Sequence, residues 1–244
     1  MMKRTRAAAV GIVMGSSLLL AGSASAQAGP WSVSFDAGAQ TAVSGDLHGA
    51  GTGRVLNLPT TVESRTYGDV YGPGFYWAAG VGYRVGSHGE ARVQGSYTAN
   101  PADRLQVGNV AGLALLAHFD DYKAFGMDLG YRQYFGNAML KPFIGGSAGF
   151  TRVDAIASTF TVPAASVTLT SVPMNASSTV PSFGVQAGAQ MHLNDRLALQ
   201  VGADLRWQGD LKQSEGLAGT GLEPINDTTR RWALPITAGL TVRF

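Results

Sequence analysis

His118-Phe119-Asp120-Asp121 places an imidazole beside two carboxylates, the residue types that activate water or a hydroxyl for hydrolysis. The other histidines are His48, His88 and His192. The chain has no cysteine, which removes thiolate ligands, disulfides and cysteine nucleophiles together. No spacing of His, Asp and Glu suits a metal ion, and no cofactor is expected. Gly49-Ala50-Gly51-Thr52-Gly53 has the glycine content of a phosphate loop, but no Lys follows and no strand and helix flank it. Asn175-Ala176-Ser177 is a formal glycosylation sequon with nothing else to support it. The His118 cluster reads as a solvated group, and no catalytic residue is assigned.

The one constellation with a mechanical consequence is a set of isolated charges. Asp36, Asp128 and Asp204 are matched by Arg84, Arg92, Arg132, Arg206 and Arg243. Each interrupts a stretch in which apolar residues recur every second position. At the C-terminal end, Trp232, Leu234, Ile236, Ala238, Leu240, Val242 and Phe244 alternate with Ala233, Pro235, Thr237, Gly239, Thr241 and Arg243. Residues 197–208, 183–193, 31–40, 75–86, 91–97 and 125–132 alternate likewise, and this period of two predicts strands. Residues 143–153 predict a further strand whose glycines leave either face free to be the apolar one. The total is eight. Residues 45–73, 99–121, 154–181 and 209–229 are long connections, while 86–90, 136–141 and 194–196 are short turns. Long and short alternate along the whole chain, the order of an antiparallel meander whose two ends face different surroundings.

A soluble sandwich also alternates, but its second face carries Lys and Glu into water. Here the second face is Gly, Ser, Gln and Thr with the charges named above, which suits the inside of a narrow barrel. Threading the strands up and down puts Trp31, Phe35, Tyr83, Tyr131, Phe135, Phe143 and Phe244 near one rim. It puts Phe75, Trp77, Tyr97, Tyr122, Phe125, Phe183, Trp207 and Trp232 near the other. Two aromatic girdles around Val, Leu, Ala and Met are what two membrane interfaces favour. The fold class is therefore all-β, an eight-stranded antiparallel up-and-down transmembrane β-barrel. Its lumen charges are expected to pair across the interior, since an unpaired ion in so confined a space is costly. An eight-stranded barrel is filled by its own side chains, so the lumen is expected to be plugged. His192 is expected to line the lumen near the periplasmic end.

Residues 1–26 have the parts of a secretory signal peptide: Lys3, Arg4 and Arg6, an apolar stretch from Ala7 to Leu20, and Ala24-Ser25-Ala26 before the expected cleavage site. The barrel is then expected over residues 27–244. Removing three of the 18 basic residues leaves 15 against 16 acidic ones, a net of −1, so nucleic acid is not an expected partner.

The chain resembles the eight-stranded outer-membrane barrels of the OmpA-type and opacity-protein (surface antigen) superfamily. The likeness is carried by the final alternating strand ending in Phe244, by the stretch from Gly126 to Phe135, and by Lys141-Pro142-Phe143-Ile144-Gly145-Gly146. It implies a bacterial outer-membrane location, contact with membrane lipids and lipopolysaccharide, and a terminal Phe244 signal read by the outer-membrane assembly machinery. A peptidoglycan-binding domain is not expected after the eighth strand. His118 to Asp121 bears a faint similarity to omptin-type surface proteases, but the order of His and Asp differs. No histidine has the Ser two residues on that small lipid A deacylase barrels show. Function is then expected to lie in the external loops, as a structural or adhesin-like surface protein with a host or cell-surface ligand. The alternatives are a small-solute pore and, behind it, a lipid A-modifying or proteolytic barrel. Within residues 154–181, Val162, Val167, Leu169 and Val172 predict a hairpin continuing above the membrane.

Overall fold

A computed structural model of the chain describes residues 29–136, 139–226 and 229–244. The expected signal peptide lies outside the described residues. The chain begins with β1 (Trp31–Ser44), followed by β2 (Asp46–His48), β3 (Gly51–Val55), β4 (Leu58–Val62), β5 (Arg65–Thr66) and a one-turn helix, α1 (Tyr67–Val70). Next come β6 (Gly74–Val85), β7 (Gly89–Asn100), β8 (Arg104–Val110), β9 (Leu113–Phe119), β10 (Tyr122–Tyr134) and β11 (Leu140–Val153). The remainder is β12 (Ile156–Val162), β13 (Val167–Asn175), β14 (Ser178–His192), β15 (Leu197–Gln208) and β16 (Arg231–Arg243).

Eight of these strands close a barrel in the order β1-β16-β15-β14-β11-β10-β7-β6, every pairing antiparallel. Closure gives every strand two neighbours, which hydrocarbon demands because an unpaired backbone group there costs several kcal/mol. The outward face exposes Val33, Val81, Val93, Met127, Leu129, Val185, Val201 and Ile236, side chains that only lipid would accept. The strand over residues 143–153 takes one definite phase. Ile144, Ala148 and Phe150 face outward, while Phe143, Thr151 and Val153 are buried inside. Phe143 is thus no girdle residue. Its ring fits inward because Gly188 and Gly202 lie against it, where a Cβ would come within 2.6 and 3.4 Å. Tyr122 also leaves the expected girdle. It shares the inward parity of Ala124, not the outward parity of Phe125, and is buried.

The long connections do not form separate loops. They build a second sheet beyond one end of the barrel, in the order β13-β12-β9-β8-β4-β3. The 154–181 hairpin is β12–β13, and β8–β9 and β3–β4 stand beside it. Residues 212–225 fasten both outer strands. On the β3 side, Arg54 N–H donates to Thr220 O and Gly49 N–H to Ile225 O, each at 2.8 Å. On the β13 side, Ala176 N–H donates to Lys212 O at 3.0 Å and Ser214 N–H to Met174 O at 3.1 Å. The glycines at 51 and 53 belong to this closure and not to a phosphate cradle. A Cβ at Gly51 would meet the Ile225 side chain at 2.5 Å, and one at Gly53 would strike Thr220 O.

Candidate functional site

Two interiors lie one above the other. The lower is polar and runs through the barrel. Asp36, on β1, faces Arg92 on β7 at 3.7 Å and accepts from the Gln200 amide. Arg92 also lies 3.7 Å from Glu90 and donates to Ser34 Oγ at 2.8 Å. From β15, Arg206 reaches across the lumen to pair with Asp128 on β10, approaches Asp204 at 3.7 Å, and donates to the Tyr76 hydroxyl at 3.1 Å. Ser182 Oγ donates to Asp128 at 3.0 Å. The structure thus brings Asp36, Arg92, Asp128, Asp204 and Arg206 into two carboxylate–guanidinium groups.

It does not bring the other three arginines to carboxylates. Arg132 donates to the side-chain carbonyls of Gln186 and Gln200 at 2.8 and 2.9 Å, with its guanidinium 4.5 Å from the Phe143 ring centroid. Arg243 donates to Gln190 Oε1 at 3.0 Å and lies 3.2 Å from His192 Nδ1. Arg84, expected in the lumen, is exposed near the short-turn end of β6, where its backbone pairs with Glu90 of β7. Glu90, Tyr76, Gln186 and Gln200 are lumen groups that a search for isolated Asp and Arg overlooks. Their signal is position: each falls on the inward parity of its strand. The cavities left among these side chains are small, about 30 Å³ around Asp36, Arg132 and Gln200 and about 10 Å³ around Arg92, Asp128 and Arg206. Each is the size of one or two waters.

The upper interior is apolar. Phe119, Tyr122, Ile156, Val107, Met174 and Leu47 form one buried cluster with α1 and the 209–229 segment. At its base, Arg231 is buried, its guanidinium 3.8 Å from the Tyr122 ring centroid and 5.3 Å from that of Tyr67. The Tyr122 hydroxyl donates to Gln208 at 3.0 Å, joining the two interiors. Above the cluster the sheet opens into a cup of about 170 Å³, lined by side chains such as Leu56, Leu58, Leu113, Leu115, Phe160, Val167 and Leu222. Leu56, Leu58 and Leu113 are exposed at its mouth.

The His118 group does not converge. His118, Asp120 and Asp121 are exposed, and the carboxylates accept from backbone N–H groups instead, Asp120 from Ala157 at 3.1 Å and Asp121 from Ala102 at 3.3 Å. Among the described residues no group of His, Asp and Glu is placed to hold a metal.

His48 is only 2% exposed, stacked 5.8 Å from Phe119, with Nδ1 3.1 Å from Gly49 O. Burial pushes its imidazole below the ordinary value of 6.5, Arg65 adds repulsion, and Gly49 O opposes both. A depressed folded value means the unfolded chain takes up the proton first. His48 therefore contributes stability above about pH 6.5 that is lost as the pH falls, by at most about 1.4 kcal/mol per pH unit. Protection factors for amide exchange in β2 and β9, taken relative to the intrinsic rate at each pH, should fall from pH 7 to pH 5, and His48→Gln should flatten that response. Equal pH dependence in both proteins would refute the assignment.

The outward aromatics gather at two levels. Trp31 stacks edge-on against Tyr83 with centroids 4.9 Å apart, and Tyr131 and Phe244 are exposed at the same end. At the other end Phe183 and Trp207 lie 5.4 Å apart, Trp232 is on the adjoining β16, and Phe75 and Trp77 are on β6, beyond β1. The Phe244 N–H donates to Trp31 O at 3.0 Å.

A closed eight-stranded barrel with a lipid-facing band defines an integral protein of the bacterial outer membrane. Residues 14–234 match the family described as the outer membrane protein beta-barrel domain, and the chain belongs to that family. Neisserial surface protein A is 16% identical, with a TM-score of 0.52, over 88% of this chain and 97% of that one. The attachment invasion locus protein Ail of Yersinia pestis is 11% identical, with a TM-score of 0.40, over 87% and 99%. The outer membrane protein OprG of Pseudomonas aeruginosa is 10% identical, with a TM-score of 0.41, over 89% and 98%. No curated protein matches the chain in sequence.

Proposed function

We propose that this barrel is a non-enzymatic surface-interaction protein, closed to solutes through its lumen and working through its extracellular assembly. The observation that carries the reading is the lumen itself. Its side chains, ion-paired and hydrogen-bonded across the barrel, leave cavities of about 30 and 10 Å³, and an apolar cluster lies across the outer end. What remains open to the outside is a folded six-stranded sheet, and residues held on a rigid scaffold at a loop end are the usual bearers of binding. The His118 group supplies neither a base aimed at a nucleophile nor a convergent rim, which argues against the protease and deacylase alternatives. Phe244, exposed at the terminus of β16, is the group offered to the assembly machinery. Lipopolysaccharide is the lipid partner at the outer girdle.

Planar-bilayer recordings of the folded monomer should show no steady, large single-channel conductance. Such a conductance would favour the pore reading instead. A chain lacking residues 158–178, most of β12–β13, should still fold and remain non-conducting. Cells displaying it should lose most of the adhesion to host-cell monolayers that the intact protein confers, and unchanged adhesion would remove the loops from the account.

A further inference from the structure

The extracellular sheet ends in hairpin tips that carry apolar side chains where water and turn geometry both ask for polar ones. Val55 pairs with Leu58, so Leu56 and Asn57 make a two-residue turn, with φ of 52° and 64°. Val110 pairs with Leu113, leaving Ala111 and Gly112 at 50° and 82°. Two-residue turns with both φ values positive select Asn-Gly or Asp-Gly, because a β-carbon is strained there. Leu56 is nevertheless 66% exposed, so it is neither relaxed in its backbone nor buried. In the third hairpin, Ala165 and Val167 flank Ser166, also at positive φ. Leu56, Ala111, Ala165 and Val167 all line the mouth of the cup. Seven residues of β8 at about 3.3 Å each give roughly 20 Å of strand between its barrel-side end and this turn, and a tip on the aqueous side has no lipid to account for an apolar side chain.

We propose that the cup is a binding site for a small uncharged apolar molecule, an alkyl chain or an aromatic ring taken from the aqueous side, with the hairpin tips as its rim. This rests on the loop-borne reading above and names its ligand class. The cavity, about 170 Å³, is close to the roughly 150 Å³ at which an apolar protein cavity stays dry and takes up benzene. It is too small for a folded segment of a partner. No charged side chain lines it. Its two hydroxyls are turned to local backbone, Thr60 donating to Leu58 O at 3.1 Å and Thr220 to Leu217 O at 2.6 Å. With no free donor to receive it, a polar or ionised guest would lose its hydration uncompensated. Backbone strain kept at a rim that faces the cavity is the pattern expected where binding, and not stability, sets the residue.

The test uses the full barrel in lipid nanodiscs with methyl-labelled Leu and Val, and 1-octanol, toluene and octanoate as probes. Methyls of Leu58, Leu113 and Val167 should shift saturably with 1-octanol and toluene, and at least tenfold more weakly with octanoate. The lipid-facing Leu129 and Val185 methyls report partition into the bilayer and should respond only linearly. Leu56→Asn should raise or preserve the melting temperature of the extracellular sheet while weakening 1-octanol binding at least fivefold. Leu58→Asp should abolish that binding. Non-saturable shifts, equal response to octanoate, or unchanged affinity in Leu56→Asn would each overturn the proposal. Loss of adhesion on deleting 158–178 without any saturable cup shift would sink this proposal while sparing the loop-borne reading. Saturable cup binding in a barrel that conducts steadily would do the reverse.

Discussion

Replacing Arg206 with Met should lower the unfolding free energy of the barrel by about 3–5 kcal/mol, the cost of stripping one partner from a buried ion pair. Arg206 is 3% exposed and, among the described residues, is the cation within 4 Å of both Asp128 and Asp204. Without it two carboxylates face each other across a space that holds little water, and Ser182 alone still donates to Asp128. The double substitution Arg206→Met with Asp128→Asn should recover much of the loss, because the remaining amide is neutral and can still accept from Ser182. Urea unfolding from lipid vesicles, followed by tryptophan fluorescence, measures both. A single variant within about 1 kcal/mol of the parent would mean that water, not Arg206, satisfies these carboxylates.

Phe119→Ala should cost a comparable amount, about 3–5 kcal/mol, but in a different place. Phe119 is 1% exposed and sits at the inner end of β9, packed on His48 within the apolar cluster. Its removal leaves a cavity in the extracellular core and touches no barrel pairing. Hydrogen exchange should accelerate through β8, β9 and β12, and limited proteolysis should cut the extracellular hairpins. The barrel should keep its exchange protection in β14 and β15. Simultaneous loss of barrel protection would show that the two interiors fold as one unit, coupled through Tyr122 and Gln208.

Much of this architecture is readable from side-chain parity, because a strand has a strict period of two and lipid enforces it on every strand that crosses. Phe125, Met127, Leu129 and Tyr131 outward, with Asp128 and Arg132 inward, follow from counting alone. So do the inward Arg92, Gln94 and Ser96. The even position of Tyr122 puts it inside by the same count, as does that of Tyr76, which alternates with Phe75 and Trp77. At residues 143–153 it could not decide, since glycine has no side chain to prefer either face. There the fit of the Phe143 ring against Gly188 and Gly202 on neighbouring strands made the choice.

Which charges meet is a matter of register, and local sequence carries no register between strands far apart in the chain. Arg132 finds Gln186 and Gln200 in place of an aspartate because β14 and β15 bring those amides to its level. The extracellular sheet is harder still to foresee. Its hairpins come from three separate connections and share one apolar core only after the barrel has set their bases side by side. The amino-acid order by itself determined the barrel, its two faces and its lipid band, because each strand meets hydrocarbon independently. The partners in the lumen and the cup above it were decided by tertiary structure, because burial there depends on distances that only closure of the barrel creates.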